Sequence, residues 1–157
     1  MKTFKEIIEY LTEKNMTIST MESCTGGAIA NAITSIEGAS EVLKFSAVTY
    51  SNEDKIKMGV DPKVIDKYSV YSIETAHEMA KNISKYTNSN IGIGITGKLN
   101  RADKRNNFGK DNEVFIAIYY NNEFYDTNIV VDQKTRADNK EVIIETIINR
   151  LEEILWK

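Results

Sequence analysis

Residues 20–27 read TMESCTGG and link a short extended stretch to a helical pattern. Before them, residues 16–20 alternate as a strand does; after them, residues 25–36 place apolar side chains on one helical face. A serine followed by two glycines at such a turn can hold its hydroxyl beside open backbone N–H groups. That geometry suits a serine nucleophile with an oxyanion site, or an anion-binding turn. The alternative is that Ser23 or Thr25 only caps the helix, which the segment taken alone favours.

Composition limits the class of protein. The chain has 157 residues, 41% of them hydrophobic and 27% charged, so we expect one domain spanning residues 1–157. One cysteine and one histidine exclude an internal disulfide and a structural zinc site, and no metal or cofactor is implied. Without a long apolar run or a signal peptide we expect a cytoplasmic protein that does not contact membranes. The net charge of −3 gives no attraction to nucleic acid.

Periodicity predicts ten elements in the order α-β-α-β-α-α-β-β-β-α. Helices are expected at 3–14, 25–36, from Pro62, from Ser72 and at 137–156; strands are expected at 16–20, 42–50, 91–96, 114–120 and 124–131. The last two strands form a hairpin. This mixed order predicts an α/β fold, a three-layer α/β/α sandwich with a mixed, partly parallel sheet and an antiparallel hairpin.

Three strand ends are expected to converge on one pocket, because ligands gather at the carboxyl ends of parallel strands. They are the Ser23 turn, Tyr50 and the Thr96-Gly97 pair. Lys55 follows Tyr50 closely, and a lysine can serve as the base for a serine if burial leaves its amine neutral. The alternative is a solvated lysine at a helix start. His77 falls toward the polar face of its helix, so a lysine or tyrosine is the expected partner of Ser23.

Several segments resemble the CinA C-terminal domain family. Their order and spacing match it over nearly the whole chain: ESCTGG at 22–27, GAS at 38–40, VTYSNEDKI at 48–56, GV at 59–60 and TG at 96–97. The characterised enzymes of this family are nicotinamide-nucleotide amidohydrolases (nicotinamide mononucleotide deamidases). The resemblance is to the stand-alone form of the domain. It implies a serine amidohydrolase with a small-molecule nucleotide substrate, and a homo-oligomer.

The resemblance also implies roles for individual residues. Ser23 matches the nucleophile, Lys55 the base, and Tyr50 a residue that supports proton transfer or orients the substrate. The remaining implied positions bind substrate or supply backbone donors: Cys24, Thr25, Gly26, Gly27, Ser51, Asn52, Thr96 and Gly97.

The chain departs from the family after Thr96-Gly97. The family continues with Ile-Ala-Gly-Pro, whereas residues 98–112 read KLNRADKRNNFGKDN and carry a net charge of +3, from five basic and two acidic residues. One interpretation is a mobile basic flap over the pocket, in which Arg101 and Arg105 bind the substrate phosphate. Alternatively, it is a solvated loop whose charges only maintain solubility.

The sequence is also compatible with two other functions. One is a non-catalytic nucleotide-binding or regulatory homologue whose altered 98–112 loop has lost or changed substrate specificity. The other is a nucleic-acid-associated protein, which the acidic overall charge disfavours. The hairpin carries more apolar side chains than one buried face needs, which favours a homo-oligomer unless the chain's own helices cover both faces.

Overall fold

The computed structural model describes residues 2–100 and 109–157. Its helices are α1 (Phe4–Glu13), α2 (Ala28–Thr34), α3 (Asn52–Lys57), α4 (Pro62–Tyr68), α5 (Ile73–Thr87) and α6 (Arg136–Leu155), with a short 3-10 helix at Ala39–Glu41. Its strands are β1 (Ile18–Glu22), β2 (Ala47–Val48), β3 (Ile91–Gly97), β4 (Glu113–Tyr120) and β5 (Glu123–Val130). In this part of the chain, no helix is both long enough and apolar enough to cross a bilayer.

The five strands form one mixed sheet in the order β2-β1-β3-β4-β5. Strand β1 runs parallel to β2 and β3, while β3, β4 and β5 are antiparallel neighbours. The main core joins α1, α2 and α6 to the isoleucines of β3 and β4. Helix α5 packs on the opposite face, which confirms the predicted three-layer α/β/α sandwich.

Glycines let α5 approach the sheet closely. A Cβ atom at Gly92 or Gly94 would collide with the backbone oxygens of Ala80 and Ala76 in α5. Such glycines in a strand are typical of close backbone approach. They hold α5 against the two parallel strands whose carboxyl ends carry the candidate site.

Strand β1 lies two residues later than predicted, and the boundaries of two other predicted elements are wrong. The strand expected at 42–50 is reduced to Ala47–Val48, because Gly38 adopts a positive φ and starts a 3-10 turn that ends at Val42. Val42 is used as a buried core residue instead. Helix α2 begins at Ala28 rather than at residue 25, since Gly26 and Gly27 form a turn with φ of 60° and 97°.

Ser69 has a backbone conformation that favours glycine, with φ 78° and ψ 157° directly after α4. Strain of this kind costs about 1–3 kcal/mol. Substitution by glycine or alanine removes the hydroxyl that accepts from Tyr71 N, but only alanine keeps the strain. We expect Ser69→Gly to be more stable than Ser69→Ala by about 1 kcal/mol in urea unfolding.

Ser40 is the control position, because it lies exposed in the Ala39–Glu41 helical turn. There alanine should exceed glycine in stability, as in an ordinary helix. If alanine were more stable than glycine at both Ser69 and Ser40, the result would contradict backbone strain at Ser69.

Candidate active site

Ser23 lies at the carboxyl end of β1, where the chain leaves the sheet. Its N–H donates to Ile95 O at 3.1 Å, which continues the pairing with β3 by one residue. Its C=O accepts from Gly26 N at 2.9 Å, and this bond closes the turn that leads into α2. The turn therefore fixes the backbone of Ser23 on both sides and leaves its hydroxyl to make contacts of its own.

The hydroxyl of Ser23 contacts the amine of Lys55. Lys55 Nζ is 3.0 Å from Ser23 Oγ and donates to Thr49 O at 2.7 Å. The lysine is only 1% exposed, which is rare for this residue type, and Ser23 is buried as well. The structure thus brings together two predicted residues that are 32 positions apart in the sequence.

Helix α3 places Lys55 at this position. Ser51 caps the helix by accepting from Asp54 N at 3.1 Å, and its own hydroxyl donates to Asp54 Oδ2. Lys55 is the buried residue of this six-residue helix. Asn52, at the start of α3, lines a neighbouring cavity of about 340 Å³ together with residues 65–70.

Glu22 holds the start of α2, a role that the sequence analysis did not identify. Its buried carboxylate accepts from Ile29 N at 3.0 Å and Ala30 N at 2.9 Å. It also accepts from the hydroxyls of Thr20 and Thr25. The expectation that Ser23 or Thr25 caps this helix is therefore wrong. The acidic residue that ends β1, six positions before α2 begins, is the signal that could have indicated it.

Open backbone donors remain beside Ser23. In the described ranges 2–100 and 109–157, no protein acceptor takes the N–H groups of Thr25 and Gly27. Gly26 N is engaged by the turn. Backbone N–H groups without a protein acceptor, in the turn that follows a serine, are candidate donors for an oxyanion site.

Tyr50 contacts a residue that the sequence analysis did not identify. Its hydroxyl accepts from Arg136 Nη2 at 2.9 Å, and its side chain is 63% exposed. Arg136 is the first residue of α6, and its Nη1 donates to Leu99 O at 2.6 Å. Lys140, one turn further along α6, has its Nζ 3.5 Å from the position that a Cβ on Gly26 would occupy. Two cations of α6 thus lie near the glycine turn.

The other predicted positions have structural contacts. Thr96 Oγ1 donates to Val70 O at 2.9 Å and is fully buried. Gly97 lies against β4, where a Cβ would be 2.5 Å from Glu113 O. Their roles in substrate binding stay predictions. Arg101 and Arg105 lie outside the described residues. His77 is accounted for elsewhere, since its Nε2 is 2.6 Å from Asp126 Oδ1 and its ring stacks on Phe124.

Cys24 follows the candidate nucleophile but is chemically unsuited to replace it. Burial raises the pKa of its thiol to about 12, although the charges of Lys55 and Arg136 act in the opposite direction. At pH 8 only about one thiol in ten thousand is then ionised, and the thiolate is the reactive form.

We expect the thiol of Cys24 to react slowly in the folded protein, because it packs in the core. Iodoacetamide should alkylate the folded protein at least about a hundredfold more slowly than the urea-unfolded chain at pH 8, since the unfolded thiol has an ordinary pKa. The alkylation rate of the folded protein should rise with pH up to about 12. Fast alkylation of the folded chain at neutral pH would contradict this assignment.

The fold and the site define an α/β protein with a buried serine–lysine pair at the end of a parallel strand. The family model of the CinA C-terminal domain matches residues 1–155, and the chain belongs to this family. A CinA-like protein of Flavobacterium psychrophilum is 37% identical over 150 residues, which is 94% of this chain and 34% of that protein. A putative competence-damage inducible protein of Alkaliphilus oremlandii is 46% identical over 92 residues, 58% of this chain and 22% of that protein.

Solved structures share the fold. A CinA superfamily protein from Klebsiella pneumoniae superposes with a TM-score of 0.89 at 19% identity, over 97% of this chain and 94% of that one. The competence/damage inducible protein CihA from Agrobacterium tumefaciens gives 0.82 at 28% identity, over 98% and 93%. The chain spans about a third or less of the two relatives matched by sequence.

Proposed function

We propose that this protein is an amidohydrolase that converts nicotinamide mononucleotide, or a close pyridine nucleotide, to the corresponding acid and ammonia. The observation that carries the proposal is the buried contact of 3.0 Å between Lys55 Nζ and Ser23 Oγ. A serine hydrolase can use a lysine base in place of histidine. The family resemblance supplies the substrate class.

The proposed reaction begins at the serine–lysine pair. The carbonyl of Thr49 accepts one N–H of Lys55 and orients the amine toward Ser23. The neutral amine takes the proton from Ser23 Oγ, which attacks the carboxamide carbon. The N–H groups of Thr25 and Gly27 hold the oxyanion, an interaction worth about 3–4 kcal/mol per donor in serine proteases. Lys55 protonates the leaving nitrogen, ammonia departs, and water then hydrolyses the acyl-enzyme.

Positive charge near the glycine turn supports a phosphate-bearing substrate. Arg136 and Lys140 lie one turn apart on α6, and Lys140 reaches the space above Gly26. A guanidinium binds phosphate with two parallel hydrogen bonds, and an ammonium adds a point charge. A nucleoside monophosphate fits this arrangement better than a neutral amide.

The basic side chains of the 98–112 segment are proposed to add to phosphate binding. We expect replacement of Arg101 and Arg105 by alanine to lower kcat/KM for the mononucleotide about tenfold or more, mainly through KM, because phosphate contacts persist from ground state to transition state. Steady-state kinetics at fixed ionic strength measure this. The matched control is alanine at the exposed Lys5 of α1 and Lys63 of α4, which removes equal charge. Unchanged kinetics on replacing the arginines would favour the solvated-loop interpretation.

The test of the proposed function is an ammonia assay on the purified protein. Nicotinamide mononucleotide should release ammonia. Free nicotinamide and its ribonucleoside should react at least about a hundredfold less efficiently, because they lack the phosphate. Absence of ammonia from the mononucleotide and from related pyridine nucleotides would overturn the proposal.

A non-catalytic nucleotide-binding homologue is the second candidate. The hydrogen bond from Arg136 to the Tyr50 hydroxyl favours this candidate, because it holds at α6 the tyrosine that is expected to aid proton transfer. Calorimetric binding of the mononucleotide without ammonia release would support this candidate instead.

We also propose a cytoplasmic homo-oligomer. Strand β5 is an edge strand with Phe124 and the strongly exposed Val130 at its surface. Exposed apolar groups on a sheet edge favour association. Light scattering at micromolar concentration should give a molar mass above the 17.8 kDa of one chain.

A further inference from the structure

A network of polar side chains lies at the base of the 98–112 segment. Asn139 in α6 is completely buried. Its Nδ2 donates to Asn100 Oδ1 at 2.6 Å and to Gln133 O at 3.2 Å, and its Oδ1 accepts from Gln133 N at 2.9 Å. A buried amide satisfied in this way is rigid, because each bond would be costly to lose inside the protein.

Asn100 is the partner of Asn139 and is itself fully engaged. It adopts φ 60°, which asparagine tolerates better than most residues. Its Nδ2 donates to Gln133 O and Lys134 O, and its N–H donates to Asn112 Oδ1 at 2.7 Å. Asn112 therefore joins the two ends of the segment.

The network connects directly to the candidate site. Leu99, next to Asn100, is buried, and its C=O accepts from Arg136 Nη1 at 2.6 Å. Arg136 lies one turn before Asn139 in α6, and Leu99 is the neighbour of Asn100. The bond between the two asparagines therefore fixes the backbone on both sides of the contact between Arg136 and Leu99. The other terminal nitrogen of Arg136 donates to the hydroxyl of Tyr50.

We propose that Asn139 and Asn100 are positioning residues that hold the guanidinium of Arg136 for substrate recognition. An arginine side chain loses rotamer entropy when it is fixed. If the rigid Leu99 carbonyl already fixes the guanidinium, less of this entropy is lost when the substrate binds. The Asn139–Asn100 bond supplies this rigidity, because it locks the Leu99 carbonyl against the first turn of α6. The kinetic part of this inference rests on the proposed function.

A double-mutant cycle tests the positioning role. Asn139→Leu removes the amide while keeping a similar volume, and should lower kcat/KM for nicotinamide mononucleotide about tenfold, mostly through KM. In an Arg136→Ala background the same substitution should change kcat/KM by less than about twofold, because the residue it positions is gone. Asn100→Gly, which tolerates the positive φ, should behave like Asn139→Leu. An equal loss in both backgrounds would show a merely structural role and overturn the proposal.

A second measurement is independent of turnover. With selectively labelled arginine, the guanidinium protons of Arg136 should be protected from exchange in the wild type and lose that protection in Asn139→Leu. Asn90→Ala is the matched control, because Asn90 Oδ1 also accepts a backbone N–H, that of Thr17, near the start of β3. It should leave Arg136 and the kinetics unchanged. Unaltered protection of Arg136 in Asn139→Leu would overturn the positioning role of Asn139, even if the wild type released no ammonia. Missing turnover alone would contradict only the proposed function.

Discussion

Ser23→Ala is expected to lower kcat for ammonia release by about 10⁴-fold or more, while nicotinamide mononucleotide still binds within a few-fold of the wild-type Kd. The hydroxyl is the only group removed, and loss of a nucleophile in serine hydrolases has effects of this size or larger. Binding should persist because the cations of α6 and the backbone donors of the turn are untouched. Coupled ammonia detection and calorimetry measure the two quantities on the same protein.

Ser19→Ala is the matched control for this substitution. Ser19 lies in β1, four residues before Ser23, and its buried hydroxyl is 2.6 Å from that of Ser89. Its loss should reduce stability by about 1 kcal/mol and leave kcat unchanged. Equal turnover in Ser23→Ala and wild type would remove Ser23 from the reaction.

Lys55→Met is expected to reduce kcat/KM about a thousandfold or more while keeping the free energy of unfolding within about 2 kcal/mol of wild type. Methionine keeps most of the apolar stem but has no basic nitrogen, so the proton of Ser23 has no acceptor. The stability effect is small because the loss of a donor to Thr49 O is offset by the removal of a buried polar group. Urea unfolding and steady-state kinetics measure the two effects.

Lys57→Met controls for the loss of a lysine from the same helix. Lys57 Nζ is 4.0 Å from Asp54 Oδ1 and its side chain is 78% exposed. Such a surface pair contributes little. Comparable kinetics in Lys55→Met and Lys57→Met would show that Lys55 is not the base.

The sequence predicts the layers of this fold well because long periodic segments dominate them. Helices α1, α5 and α6 each carry a buried stripe at helical spacing. The prediction of a strand at 42–50 is wrong for a physical reason, because β-branched residues favour a strand whereas Val42 ends a helical turn. Propensity does not report which neighbour a side chain packs against.

The site is only partly readable from the sequence. Ser23 and Lys55 were predicted because a glycine turn and a lysine follow two strands at a spacing that matches a family. Arg136 could not be predicted in this way, because its contact with Tyr50 spans 86 positions and arises only when α6 is folded onto the sheet. Glu22 was missed because capping by a carboxylate from a preceding strand does not follow the usual pattern of a hydroxyl at the helix start.

Mass spectrometry of the acid-quenched reaction tests the central claim most directly. Wild-type protein mixed with nicotinamide mononucleotide should carry an ester of the pyridine nucleotide acid on the peptide that contains Ser23. That adduct should form within the first turnover and disappear when the substrate is exhausted. Steady ammonia release with Ser23 unmodified at every quench time, or with the adduct on another residue, would contradict a Ser23 nucleophile activated by Lys55.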